Sequence, residues 1–217
     1  MKFKAVIFDL DGTLVNTLFD LADSTNFALE KNGYKKKPRE NYCRYAGDGV
    51  YKMIERALEP NVVDKDTLKK IRDDFFAHYN NNCTVATEPY ENMVDVIYAL
   101  RENNIRVGCI TNKIDAVAKV IVKHYFGDFD FVFGQVDGIP TKPDPYLPNR
   151  AFEILGVEPK QVAYVGDSDV DMQTAVNCGM FAIGAAWGFR TKEELLVNGA
   201  DVIAENPLDI LKAISDE

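Results

Sequence analysis

Several features that mark other classes of protein are missing from this chain. Its cysteines are widely spaced and form no Cys-x-x-Cys pair, so the sequence indicates neither a zinc site nor a redox couple. No apolar run is long enough to span a bilayer. The N-terminus runs directly into a strand-like segment and shows no signal-peptide pattern. We therefore expect a cytoplasmic protein that has no membrane partner.

The chain also lacks a net positive charge, because its 25 Lys and Arg residues are outnumbered by 34 Asp and Glu residues. The 217 residues carry a formal net charge of −9, which argues against nucleic acid as a partner, because non-specific affinity for it comes mainly from neutralising phosphates. A small phosphate ester can still bind an acidic protein if a metal ion and a lysine are placed locally. Length and a hydrophobic content of 47% allow one large domain, or a core domain with a smaller one.

The order of apolar patterns predicts the fold class. Residues 3–8 form an apolar run that is typical of a buried strand. Residues 17–83 contain almost no strand-like run and show helical spacing, whereas strand and helix patterns alternate afterwards. Repeated units of this kind imply a parallel sheet covered on both faces. We therefore predict an α/β fold with a doubly wound, Rossmann-like core (1–16 and 84–217) and an inserted all-helical cap (17–83).

The first strand ends in the acidic motif Asp9-Leu10-Asp11-Gly12-Thr13. An extended chain would point Asp9 and Asp11 to the same side, where two carboxylates repel each other unless a cation or a proton lies between them. In open α/β sheets, ligands bind at this edge. An ordinary acidic turn is the plainer alternative, since Asp and Gly are common turn residues.

Two further polar segments follow the strand-like run 105–110. Thr111 and Asn112 come directly after it, and we expect them to open the next helix, where an N-terminus favours anions or simply needs a cap. Lys142 stands before Pro143 in a segment with a second proline. Because proline restricts the backbone, this context fits a lysine that must point in one direction, although a solvated turn lysine is the alternative.

A third segment places three carboxylates, Asp167, Asp169 and Asp171, between a buried strand and a helix. This number exceeds what helix capping requires. We interpret Asp169 as a surface residue. Together with Asp9 and Asp11, Asp167 would form a hard oxygen site of the kind that Mg²⁺ prefers.

In this order, the motifs resemble those of the haloacid dehalogenase superfamily across the whole chain. The matching residues are Asp9-x-Asp11-Gly12-Thr13, Thr111-Asn112, Lys142-Pro143 and Gly166-Asp167-Ser168-x-x-Asp171. Within the superfamily, segments 45–49, 54–58 and 185–190 are similar to those of the phosphoglycolate phosphatase branch.

The resemblance implies a Mg²⁺-dependent phosphatase that works through an aspartyl phosphate. Asp9 would be the nucleophile, Asp11 the general acid and base, and Lys142 the group that neutralises Asp9 and the transferring phosphoryl group. The implied phosphate-binding residues are Leu10, Thr111, Asn112 and Lys142, and the implied metal-binding residues are Asp9, Asp11 (through its backbone carbonyl), Asp167 and Asp171 (through water, unless it orients Lys142). In the cap, Gly47 and Gly49 would let the backbone approach the substrate.

Several functions stay open. The substrate would be a small phosphorylated metabolite, with 2-phosphoglycolate as the leading candidate and another ester or pyrophosphate as alternatives. The motifs also permit a sugar phosphomutase related to β-phosphoglucomutase. A signalling receiver domain is disfavoured by the helical insertion and the length, and a silent binding module by the presence of both Asp9 and Asp11. Either a monomer or a homodimer is compatible with the sequence.

Overall fold

The computed structural model describes residues 3–46 and 49–215 of the chain. The chain divides into two compact units, a core unit of Met1–Val15 and Pro89–Glu217 and a helical unit of Asn16–Glu88. The second boundary lies five residues beyond the predicted 83/84. Its position follows from Asp20, whose carboxylate accepts hydrogen bonds from the backbone N–H of Ala86 and of Thr87, each at 2.9 Å. These bonds hold the segment after the last helix of the unit on its first helix.

A parallel sheet forms the centre of the core unit. The strands of the described residues are β1 (Ala5–Phe8), β2 (Val15–Asn16), β3 (Glu88–Pro89), β4 (Arg106–Ile114), β5 (Phe131–Gln135), β6 (Val162–Gly166), β7 (Phe181–Ala185) and β8 (Val202–Ala204). Six of them form one sheet in the order β5-β4-β1-β6-β7-β8, and the paired strands run parallel. All residues of β1 are buried, as expected for a central strand covered on both faces.

The register of the central strands determines which residues share an edge. Phe8, the last residue of β1, pairs with Cys109 of β4 and with Val165 of β6. The residues that follow these three positions therefore emerge at the same edge of the sheet, as the motifs require.

The helical unit contains α1 (Leu18–Lys31), α2 (Tyr42–Tyr45), α3 (Gly49–Leu58) and α4 (Lys65–Asn82). Helix α4 begins after Asp64, whose carboxylate caps the backbone N–H of Thr67 at 2.7 Å. Its buried face consists of Ile71, Phe75 and Tyr79, spaced four residues apart. Burial of such side chains contributes about 1.5–3 kcal/mol each. The apolar residues that recur at helical spacing in the sequence thus form the buried face of α4.

The core unit contains α5 (Met93–Glu102), α6 (Asp115–Phe126), α7 (Tyr146–Leu155), α8 (Asp169–Cys178), α9 (Lys192–Val197) and α10 (Leu208–Ile214). Their apolar residues pack on the sheet, for example Met172 of α8 beside Ile7 and Tyr164. The Tyr164 hydroxyl donates to the backbone oxygen of Ile110 at 3.0 Å, so its buried polar atom is satisfied. Across the described residues, no helix has the length and apolar character that a membrane span requires.

One local expectation was wrong. Thr111 and Asn112 do not open a helix, because β4 continues through them to Ile114 and α6 begins only at Asp115. The strand can extend because β5 continues beside it, with Ile114 opposite Gln135 after an irregularity in the register. The two residues consequently lie in a strand at the edge where the motifs meet.

Candidate active site

Three carboxylates from two strand ends form an acidic cluster, which we define as Asp9, Asp167 and Asp171. One oxygen of each lies within 4.8 Å of the others, and all three residues are buried. Asp9 directly follows β1, Asp167 directly follows β6, and Asp171 lies in the first turn of α8. The topology thus brings together acids that are about 160 positions apart in the chain.

Lys142 is the cation of this cluster. Its Nζ lies 2.8 Å from Asp9 Oδ1 and 2.6 Å from Asp171 Oδ1, and its side chain is only 3% exposed. Burial disfavours the charged ammonium, but Asp171 and Asp9 outweigh that effect, so the pKa of Lys142 lies well above its usual value. Lys142 therefore stays charged at physiological pH.

Asn112 holds the backbone of Lys142. Its side-chain oxygen accepts from Lys142 N at 2.9 Å, and its Nδ2 donates to Lys142 O at 3.2 Å. The side chain thus completes two hydrogen bonds with another part of the site. The Asn112 side chain thus fixes the backbone of Lys142, and the second N–H of its amide is not used in these two bonds.

Burial and mutual repulsion destabilise the ionised forms of Asp9 and Asp167. Burial, followed by the charge of Asp171, raises the pKa of Asp9 to about 6, and burial with the same neighbour raises the pKa of Asp167 well above its usual value. Asp9 Oδ1 has the Lys142 ammonium as its partner at 2.8 Å, but that one ammonium serves both Asp9 and Asp171. The cluster therefore holds more buried carboxylates than cations, and the site favours an additional positive charge.

The donor set fits a divalent cation. Hard carboxylate oxygens are the ligands of Mg²⁺, and the acidic cluster contains more negative charge than Lys142 can balance. Both oxygens of Asp171 accept hydrogen bonds, Oδ1 from the Lys142 ammonium and Oδ2 from Ser168 Oγ, each at 2.6 Å. Both oxygens of Asp167 also accept hydrogen bonds, but from neutral donors only and at the longer distances of 2.8 and 3.0 Å. The structure thus shows Asp171 in direct contact with Lys142, which is the geometry that one of the two roles left open by the sequence requires.

Asp11 differs from the cluster. Its carboxylate does not join the other acids, and both of its oxygens contact Lys113 Nζ, at 2.8 and 3.0 Å. The chain turns at Gly12, which has a φ of +89°, so the alternation expected for an extended chain ends here. Asp11 still raises the pKa of Asp9 as a minor contribution after burial and Asp171. Sequence reasoning missed Lys113, which directly follows Asn112 in β4.

The loop after β7 and the turn after β1 both contact Asp167. The backbone N–H of Phe189 donates to Asp167 Oδ2 at 2.8 Å, and Thr13 Oγ1 donates to Asp167 Oδ1 at 3.0 Å. Trp187 Nε1 in turn donates to the backbone oxygen of Thr13 at 3.0 Å. A Cβ on Gly188 would overlap Asp167. The loop after β7 therefore contributes to the site. The sequence analysis related this segment (185–190) only to the phosphoglycolate phosphatase branch and gave it no role in the site.

The remaining predicted residues are less informative. Leu10 is buried, and its backbone oxygen accepts from the N–H groups of Thr13, Leu14 and Val15 in a tight turn. Thr111 is buried, and its hydroxyl accepts from Lys113 N at 3.2 Å. Gly49 begins α3 with a φ of +84°. Gly47 lies outside the described residues.

Comparison with known proteins shows which family this chain is similar to. Residues 6–185 match the family model described as haloacid dehalogenase-like hydrolase. Among curated relatives, a phosphoglycolate phosphatase of Nitrosospira multiformis is 30% identical over 99% of this chain and 96% of its own. That of Aquifex aeolicus is 28% identical over 98% of this chain and 97% of its own.

A solved structure from Lactobacillus delbrueckii subsp. bulgaricus, assigned as a phosphoglycolate phosphatase by prediction, covers 100% of both chains. It is 30% identical to this chain and has a TM-score of 0.93. The similarity thus extends over the whole sequence and the whole fold.

Proposed function

The chain belongs to the haloacid dehalogenase-like hydrolases and to their phosphoglycolate phosphatase-like branch, and on that premise we propose that it hydrolyses 2-phosphoglycolate to glycolate and phosphate with the help of Mg²⁺. As a member of this branch, it is a phosphoric monoester hydrolase. The family predicted from the motifs and the α/β fold predicted from the apolar patterns are confirmed. The substrate, the metal and the residue roles below are parts of the proposal.

The observation that carries the proposal is the contact between Lys142 and two buried acids of the cluster. A structural ion pair has one carboxylate for each ammonium, whereas this site keeps three buried acids beside the single ammonium of Lys142. Such an excess costs stability. It is useful where a cation and a phosphate bind.

Asp9 would act as the nucleophile. A bond forms between a carboxylate oxygen of Asp9 and phosphorus, while the bond from phosphorus to the ester oxygen breaks, giving an aspartyl phosphate. Two unit negative charges 4 Å apart repel by about 4 kcal/mol at an effective dielectric of 20. Lys142 offsets this repulsion at Asp9 and at the transferring phosphoryl group, with Thr111 and the backbone of Leu10 and Asn112 on its oxygens.

Asp11 would handle the proton. In the first step its carboxyl group gives a proton to the leaving alkoxide, and in the second its carboxylate takes one from the water that attacks phosphorus and frees Asp9. Mg²⁺, held by Asp9, Asp167 and the backbone carbonyl of Asp11, would supply the positive charge that lets a carboxylate and a phosphate approach each other. Each proton that leaves Asp11 is thus replaced within one cycle.

Phosphate release from a panel of esters tests the proposal. The panel contains 2-phosphoglycolate, other alkyl phosphates, a sugar phosphate and pyrophosphate, each with Mg²⁺ and with a chelator. We expect metal-dependent release with 2-phosphoglycolate preferred, and loss of release in Asp9→Asn. The matched control is Asp169→Asn, which removes a nearby, partly exposed carboxylate.

Three results would contradict the proposal. Absence of release from every ester by folded protein would contradict a phosphatase. Transfer of phosphate to a second position of the sugar phosphate would identify a mutase. Equal activity with and without a chelator would show that the reaction does not require a metal ion.

Three further expectations stay predictions. They are a cytoplasmic location, a monomeric or homodimeric state, and substrate contacts by Gly47 and Gly49.

A further inference from the structure

Lys142 and Lys113 are both buried, with 6% and 8% of their surfaces exposed, and no other lysine of the described residues is buried. Both are found at the edge of the sheet where the motifs meet. Lys142 has a role in the proposed chemistry, whereas Lys113 has none. Burying an ammonium costs several kcal/mol unless a partner compensates, so its presence requires an explanation.

Lys113 is bound to Asp11 on both oxygens. The Nζ–Oδ distances are 2.8 and 3.0 Å, and the Lys113 side chain is 4% exposed while that of Asp11 is 23% exposed. The ammonium is therefore enclosed and the carboxylate faces partly outward. A charge-assisted contact of this kind restricts the carboxylate more than a neutral one would.

The backbone on the Lys113 side is also fixed. Lys113 lies in β4, and its N–H donates to Thr111 Oγ1 at 3.2 Å. Asp11, in contrast, lies in the turn before Gly12, outside the strand β1. The pair thus anchors a side chain of a turn to a strand of the sheet.

We propose that Lys113 is a positioning residue that holds the carboxyl group of Asp11 in place for proton transfer with the leaving group and with water. This inference rests on the proposed function. Lys113 keeps its own protons throughout and forms no bond to the substrate. Its effect is geometric, because a proton donor must lie within hydrogen-bond reach of the atom that it serves, and the loss of Lys113 removes both of these contacts to the Asp11 carboxylate.

The test compares two esters with different leaving groups. An alkyl ester such as 2-phosphoglycolate needs a proton on its leaving oxygen, whereas 4-nitrophenyl phosphate releases a stable phenolate without one. The parameter is kcat/KM, since it reports the steps up to formation of the aspartyl phosphate and not its hydrolysis. In Lys113→Met we expect kcat/KM to fall about 100-fold for 2-phosphoglycolate, and less than about threefold for 4-nitrophenyl phosphate.

Two further variants sharpen the test. Lys113→Arg keeps a cation that can donate to a carboxylate, and we expect it to recover the alkyl ester to within about tenfold of wild type. In an Asp11→Asn background, Lys113→Met should change kcat/KM by less than about threefold, because the group that it positions has already been removed. The matched control is Lys119→Met, a lysine that pairs with Asp115 on the surface of α6.

The outcomes separate this inference from the proposed function. If wild type hydrolyses neither ester, the proposed function has failed. If wild type is active but Lys113→Met lowers both esters equally, or acts additively with Asp11→Asn, Lys113 has only a structural role and the inference is overturned. If Lys113→Met does not fold, Lys113→Gln and Lys113→Arg decide by the same ratio between the two esters.

Discussion

Ion pairs of the same length have opposite meanings in the two units of this protein. In the core unit, Lys142 lies 2.6 Å from Asp171, and both side chains are almost completely buried. In the helical unit, Lys69 lies 2.6 Å from Asp73 one turn away on α4, and both are exposed. Burial, rather than distance, decides what each contact does, because water screens the second pair and not the first.

The directions of the pKa shifts show the contrast. The hydrogen bond from Lys69 lowers the pKa of Asp73, which is the ordinary result for an acid beside a base. Asp9, which has Lys142 beside it, instead has a pKa raised to about 6, because burial and the charge of Asp171 exceed the help from the ammonium. A pair that stabilises both of its members is structural, whereas a cluster that leaves its acids destabilised is suited to binding and catalysis.

Of the substitutions considered for the two kinds of ion pair, removal of Lys142 should have the largest effect on stability. Lys142→Met leaves two or more buried carboxylates without their cation, and we expect the free energy of unfolding of the metal-free protein to fall by about 3–5 kcal/mol. Urea unfolding with a chelator present measures it, and phosphate release should be lost as well. With Lys69→Met as the control on the exposed surface, a loss below about 1 kcal/mol in Lys142→Met would contradict the assignment.

Removing one acid should have the opposite sign. Asp167→Asn takes a like charge out of the cluster, and we expect the metal-free free energy of unfolding to stay unchanged or to rise by about 1–2 kcal/mol. From the proposed Mg²⁺ site we expect Mg²⁺ to raise the Tm of the wild type and not that of this variant, since a ligand that binds only the folded state stabilises it, and more so the tighter it binds. Thermal scans with and without Mg²⁺ provide both values. A variant that is less stable and still responds to Mg²⁺ would exclude Asp167 as a ligand.

Asp9 of the core unit and Asp74 of the helical unit should contribute to the pH dependence of stability with opposite signs. Because the pKa of Asp9 is raised from 3.8 to about 6 on folding, the folded state binds more protons between these values, and the metal-free free energy of unfolding falls as pH rises through this window. Asp74 in the helical unit has its pKa lowered, chiefly by the hydrogen bond from Lys31. Its contribution is present above pH 4 and is lost as pH falls further.

Urea unfolding from pH 3 to 7 with a chelator present separates the two contributions. We expect Asp9→Asn to reduce the fall above pH 4, to which Asp167 also contributes because its pKa is raised by burial as well, and Asp74→Asn to weaken the fall below pH 4. If Asp9→Asn keeps the wild-type slope between pH 4 and 6, the Asp9 carboxyl group is not the source of that dependence.

The smallest effect is expected for the exposed pair itself. Lys69→Met and Asp73→Asn should each leave the urea midpoint within experimental error of wild type, because solvent-exposed pairs contribute little. A midpoint shift as large as that of Lys142→Met would show that exposure does not separate the two kinds of pair.

The sequence predicts the parts of the site that depend on local order. Asp9, Lys142 and Asp167 each stand beside a recognisable strand end or proline, and the parallel topology brings them to one edge. Lys113 could not be identified in this way, because its burial depends on Asp11, 102 positions away. A lysine after Thr111 and Asn112 has the same appearance in sequence whether it is solvated or enclosed.

The fold shows the same limit at a smaller scale. The helices of the helical unit follow their apolar spacing closely, as the buried face of α4 shows. The strand β8 (Val202–Ala204) is too short to give a periodic signal. The extension of β4 through Thr111 depends on β5 beside it, which is a tertiary contact that no local pattern contains.

Trp187 has an optical consequence. It is the single tryptophan of the chain, its indole donates to Thr13, and the ring of Tyr90 lies 6.3 Å away. The ultraviolet emission of the protein, when excited at the red edge of its absorption, therefore originates from one ring bonded to the turn that carries Asp11. Binding of a cation or an ester at this turn can be followed by that emission in the unlabelled wild-type protein.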